Sequence, residues 1–107
     1  MNEDISGMLG RLQEMQEKLA KTQDELGNMT TSAESGGGMV KATANGRQQI
    51  LSISIEKEVV NPVEKEMLED LIVAAVNRAL ERSRELSESK MNEAARGFMP
   101  NLPGMGS

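Results

Sequence analysis

Along Gly36 to Ile55, GGGMVKATANGRQQILSISI, apolar and polar residues alternate with a period of two, and a turn signal sits between the two runs. That combination predicts a β-hairpin. Asn45-Gly46 tolerates the positive φ angles of a type I′ turn, and a two-residue loop there sets Val40 opposite Leu51 and Lys41 opposite Ile50. In this register Val40, Ala42, Ala44, Leu51, Ile53 and Ile55 share one face. Lys41, Thr43, Ser52 and Ser54 share the other, with Ile50 as an apolar exception. A lone hairpin is marginal in water, so its apolar face must be covered by the helical sequences on either side, by a second copy of the chain, or by both.

From about Glu3 to Leu26 the period changes. Ile5, Met8, Leu12, Met15, Leu19 and Leu26 recur in alternating steps of three and four, with Thr22 in the remaining slot, which is a heptad seam. Such a helix is about 36 Å long. Its stripe is narrow and suits a partner helix better than a broad sheet, although Leu9 widens it locally. Ile5, Met8, Leu12, Met15 and Leu19 are accordingly the candidate dimer-interface residues, the sheet face being the other surface on which two copies could meet. Gly27 is placed to end the helix with a positive φ. Residues 28 to 35 alternate weakly and read as an edge strand at about 29–34, and the three glycines that follow read as a turn. With strands at about 39–45 and 48–55 this makes a three-stranded antiparallel meander whose middle strand is 39–45. Lys57 to Val60 is a short connection.

A second helix starts at Asn61-Pro62-Val63-Glu64, where Asn61 caps, Pro62 suits the first turn and Glu64 completes a capping box. Leu68, Leu71, Ile72, Ala75, Val76, Ala79, Leu80 and Leu86 then form a wide stripe able to cover a sheet, with Ala75 and Ala79 allowing close approach. The helix either frays through the Ser-rich 83–89 stretch or runs to about Arg96, before Gly97. The chain thus divides into a single α+β domain, residues 1–96, and a flexible tail, 97–107, rich in Gly, Pro and Met.

Composition narrows the chemistry. The 107 residues include no Cys, His, Trp or Tyr, and Phe98 is the single aromatic. Imidazole bases, thiolate nucleophiles and soft metal sites are excluded, and no G-x-x-x-x-G-K-[ST] loop is present to hold a nucleotide; Gly36-Gly37-Gly38 lacks the lysine and helix of a phosphate loop. The carboxylates are interleaved with Lys and Arg on helical stretches and read as solvated faces. The expectation is a protein without catalytic residues, metal, cofactor or small-molecule substrate. No apolar run is long enough to span a bilayer, and the N-terminal MNEDIS is acidic where a leader would be basic, which predicts a soluble cytoplasmic protein. Nine Met and many Ala predict a thin aliphatic core, which favours burial between two copies. A net charge of −5 taken alone argues against a nucleic-acid partner, but screening over about 8 Å lets a clustered cationic strip act locally.

Two segments are recognisable. Gly38 to Gly46, G-M-V-K-A-T-A-N-G, resembles the G-x-V-K-x-T-x-N-G strand and turn of the YbaB/EbfC family of bacterial nucleoid-associated proteins, and Lys65 to Asn77 resembles that family's K-E-M-L-E-D-L-x-x-A-A-x-N signature. The resemblance implies an α-β-β-β-α protomer, a homodimer with projecting helical arms, and duplex DNA binding of little sequence selectivity that alters DNA conformation and influences gene expression on the nucleoid. It supplies no contact residues, so those follow from charge: Arg11, Lys18 and Lys21 on the first helix, Lys41 and Arg47 on the hairpin, and Arg78 and Arg82 on the second helix, with Arg84 pointing away. Each of these could instead be a plain surface cation. Glu14–Lys18, Glu17–Lys21, Arg78–Glu81 and Arg82–Glu85 have the spacing of helical ion pairs. Without aromatics to stack on bases, contact would be to the duplex backbone. Two rival readings are a coiled-coil protein-interaction adaptor and a small holdase-like chaperone with a methionine-rich apolar surface.

Overall fold

The structure is a computed structural model that describes the backbone of residues 2–97 and the side chains of residues 5–97. In chain order it contains α1 (Asn2–Leu26), β1 (Thr30–Ser35), β2 (Val40–Asn45), β3 (Ile50–Ile55) and α2 (Lys65–Arg96), with 3₁₀ turns at Gly36–Gly38, Lys57–Val59 and Pro62–Glu64. The expected tail lies outside the described residues beyond Gly97. The strands form an antiparallel sheet in the order β1-β2-β3. This is the α+β, α-β-β-β-α architecture that the periodicities predict.

The hairpin register is not the expected one. Val40 pairs with Ile55, Lys41 with Ser54, Ala42 with Ile53 and Thr43 with Ser52; a bulge then brings Ala44 opposite Ile50. The cause is the turn. Asn45 N–H donates to Gln49 O at 3.0 Å and Gln48 N–H to Asn45 O at 3.3 Å, so the loop is Gly46-Arg47-Gln48, and the positive φ falls on Gln48 at 62°. Asn45 serves through its side chain: Oδ1 accepts from the N–H groups of Arg47 (2.9 Å) and Gln49 (3.1 Å), and Nδ2 donates to Gln49 Oε1 (2.7 Å). One consequence is that Ile50 joins the core while Leu51 is 54% exposed, the reverse of the face assignment made from a two-residue loop.

Gly46 is needed for space. A Cβ there would lie 2.7 Å from Leu26 Cδ2 and 2.8 Å from Leu26 O, because Gly46 N–H donates to Leu26 O at 2.9 Å, and also to Met29 O at 3.0 Å. The end of α1 is therefore capped by the hairpin. Gly27 does not adopt the positive φ expected of it; α1 closes in tight turns, Gly27 N–H to Asp24 O and Asn28 N–H to Glu25 O.

The core is built from small residues. Ala33, Val40, Ala42 and Ala44 of the sheet meet Ala75 and Ala79 of α2, with Ile50, Ile55, Leu68, Leu71, Ile72 and Val76 packed around them. Alanines on both sides let the α2 backbone approach β1 and β2 closely. α2 barely reaches β3, which leaves Ile53 42% exposed although its register puts it on the core face. α1 packs against α2 rather than the sheet, so the heptad seam finds a helix within its own chain. Leu26 and Thr22 are buried and Met15 and Leu19 half-buried, while Ile5, Met8, Leu9 and Leu12 remain exposed. Thr22 is accommodated by donating to Lys18 O at 2.8 Å.

At the start of α2, Asn61 Oδ1 accepts from Val63 N–H at 3.0 Å, as a cap should. Among the described residues Glu64 makes no side-chain hydrogen bond back to Asn61, so the capping box is incomplete; a 3₁₀ turn comes first and α2 begins at Lys65. The helix then runs unbroken through the Ser-rich stretch. Ser83 explains why, since it is fully buried with its hydroxyl satisfied at the hairpin.

Candidate nucleic-acid interface

The seven cations nominated from the sequence fall into distinct settings. Arg78 and Arg82, four apart on α2, are separated by a rise of about 6 Å. Alternate residues of a strand repeat at about 6.8 Å, close enough for the two arginines to engage two alternate carbonyls. Arg78 Nη1 donates to Glu34 O at 2.9 Å and Arg82 Nη1 to Ser32 O, both on the edge strand β1. They partly cover an edge that would otherwise accept another strand. The expected Arg78–Glu81 and Arg82–Glu85 pairs are not formed. Arg84 takes Glu81 at 2.5 Å and Glu88 at 3.1 Å instead.

Lys41 lies on the open face of the sheet, directly opposite Glu34 on β1 and Ser54 on β3, beside the Ser32–Thr43 hydroxyl pair at 3.0 Å. Arg47 is exposed at the hairpin tip, its stem packed so that a Cβ on Gly27 would sit 3.3 Å from its Cδ. It brings positive charge to the C-terminus of α1, whose last turn has no basic residue of its own.

Arg11, Lys18 and Lys21 are all exposed on α1. Among the described residues no carboxylate lies within 4.0 Å of them, so the Glu14–Lys18 and Glu17–Lys21 pairs are not formed either. At about 100° per residue the three fall within an arc of roughly 80° beside the apolar seam, spread over about 15 Å of helix. Glu14 and Glu25 share that arc, so the strip is mixed in sign. Among the described residues it is nonetheless the longest run of cations on one helix without a carboxylate partner.

The sequence profile of the YbaB/EbfC DNA-binding family matches residues 1–98. The chain belongs to the YbaB/EbfC DNA-binding family. It is 47% identical over 102 residues to a nucleoid-associated protein of Caldanaerobacter subterraneus subsp. tengcongensis, covering 95% of this chain and 90% of that one. It is 50% identical over 98 residues to one of Thermodesulfovibrio yellowstonii, covering 92% and 84%. A crystal structure of an uncharacterized protein from Helicobacter pylori superposes with a TM-score of 0.70, covering 88% of this chain and 96% of that one. At 21% identity this likeness speaks for the fold alone.

Two parts of this YbaB/EbfC protomer escape a reading of cations alone. Ser83 continues the Ala75, Ala79 step of four on the buried stripe, and a hydroxyl at that position is the signal that a polar group awaits it. Gln48 carries no such signal, since Asn45-Gly46 is by itself a complete turn dipeptide. The Arg84 hydrogen bond holds the exposed Glu81 carboxyl below its ordinary value. The small stability this contributes is complete above the ordinary carboxylate pKa and is lost as pH falls through the lowered one. An NMR titration is expected to show Glu81 protonating at lower pH than it does in R84M, where the bond is gone.

Proposed function

We propose that this YbaB/EbfC protein is a nucleoid-associated protein of the bacterial cytoplasm. It binds duplex DNA as a homodimer with little sequence selectivity, alters its conformation, influences gene expression, and carries out no catalysis. The carrying observation is the strip of Arg11, Lys18 and Lys21 on a projecting helix, exposed and without a carboxylate within 4.0 Å among the described residues. Its relatives' names support the nucleoid setting. A two-fold pair carries the strip twice, which is how an acidic chain can present several cations to one duplex. Surfaces available to a second copy are Ile5, Met8 and Leu12 on the exposed part of the seam, and Leu51 and Ile53 on β3; Met15 and Leu19 are already half-covered within the protomer.

Duplex binding at several salt concentrations tests the reading. With about four to six phosphates neutralised, the log-log salt slope is expected to be roughly −4 to −5, with similar affinities for permuted sequences. Sedimentation of the wild type is expected to show a dimer. A slope near zero favours the adaptor reading, which draws on the exposed Ile5, Met8, Leu9 and Leu12 as a surface for another protein.

A further inference from the structure

The hairpin tip is exposed yet unusually constrained. Gln48 sits at φ 62°, and among the described residues it is the one non-glycine with a positive φ. Glycine or asparagine is the ordinary occupant of such a position, because a longer side chain is disfavoured there. The backbone is fixed from beneath. Ser83 Oγ, buried on α2, accepts from Gln48 N–H at 2.9 Å and donates to Asn45 O at 2.5 Å. The buried Asn45 side chain accepts from Arg47 and Gln49 N–H, so three successive backbone donors are committed to holding the tip in place. What the tip displays is two long side chains, Arg47 and Gln48, both exposed and neither side chain in a hydrogen bond or ion pair among the described residues.

Their chemistry matches the edges of bases. A guanidinium pairs with guanine O6 and N7, a carboxamide with adenine N6 and N7, and a two-stranded β-ribbon fits the major groove. Phosphate contacts along α1 carry no direct sequence information, so a preference read from base edges must come from another surface. We propose that the hairpin tip enters the major groove, with Arg47 and Gln48 touching base edges and setting the limited sequence preference of the protein, and with Ser83 as the positioning residue that holds the tip. This rests on the DNA-binding reading above.

The test is a competition among duplexes selected from a random pool, with the full chain. Q48G keeps the left-handed backbone while removing the carboxamide. It is expected to melt no lower than wild type, to bind the weakest duplexes within about twofold of wild type, and to compress the best-to-worst affinity ratio toward one. R47M is expected to lose preference for guanine-containing sites with the salt slope little changed, whereas a uniform loss of affinity with a slope reduced by about one would place Arg47 on phosphate and overturn the base-edge role. S83A, which frees the tip without touching DNA, is expected to compress the ratio with the slope unchanged; should it fail to fold, Q48G and R47M decide. Q48G and R47M ranking duplexes as the wild type does would overturn the inference, as would a wild type that ranks none above another. A wild type that binds no duplex at all removes the proposed function as well, so the two failures are distinguishable.

Discussion

Replacing Gly46 by alanine is expected to destabilise the protomer by about 3 kcal/mol, the upper end for forcing an extra methyl into a packed site. Of the atoms it would strike, Leu26 O is backbone, held at 2.9 Å by the Gly46 N–H itself, so the collision cannot be relieved by turning a side chain. For a domain of this size that corresponds to a fall in melting temperature of roughly 12 °C or more. Asparagine distinguishes the two accounts of this residue. G46N would be harmless if Gly46 were there for a type I′ turn, and is expected to be at least as damaging as G46A because the true constraint is space. Gly37 provides the contrast: it has a positive φ but nothing within 4 Å of its Cβ position, so G37A is limited to the conformational cost of about 1 kcal/mol. Equal melting of G46A and wild type would remove the close-approach explanation.

Reversing the charge of Arg11, Lys18 and Lys21 together is expected to lower duplex affinity by on the order of a thousandfold at physiological salt, and to bring the salt slope toward zero. All three side chains are exposed, so circular dichroism should show an unchanged fold. The same reversal at Arg78 and Arg82 has a different expected result. There the guanidinium groups bind Glu34 O and Ser32 O, so the variant should change self-association through the β1 edge and leave duplex affinity within a few-fold. DNA binding lost in the α2 variant and kept in the α1 variant would move the interface to the second helix.

Periodicity made the elements legible. Steps of three and four gave α1, alternation gave the strands, and a wide stripe with two alanines gave α2 as the cover of the sheet. Register was not legible, because the residues that look like a hairpin signal have other duties. Asn45 acts through its side chain, and Gly46 answers to Leu26, a residue far away in the chain whose approach no local pattern records. The sites divide in the same way. Spacing shows that Arg78 and Arg82 share a helix face, but not that a strand offers them two carbonyls at nearly the same interval. Half of the heptad seam is satisfied by α2, a partner that sequence spacing asks for without naming.

The junction at Gly46 ties α1 to the hairpin and, through it, to α2. Its exposed end carries Ile5 to Leu12 and Arg11 well away from the sheet. Its inner end is fastened at Leu26 O to the hairpin loop, which is itself tied through Asn45 and Gln48 to Ser83 on α2. Leu26 and Gly46 therefore mark the point where both helices and the hairpin meet, and α1 is also held on α2 from Met15 inward. Cutting this network at Ser83 is expected to raise amide hydrogen exchange at the hairpin tip and at the last turn of α1 together.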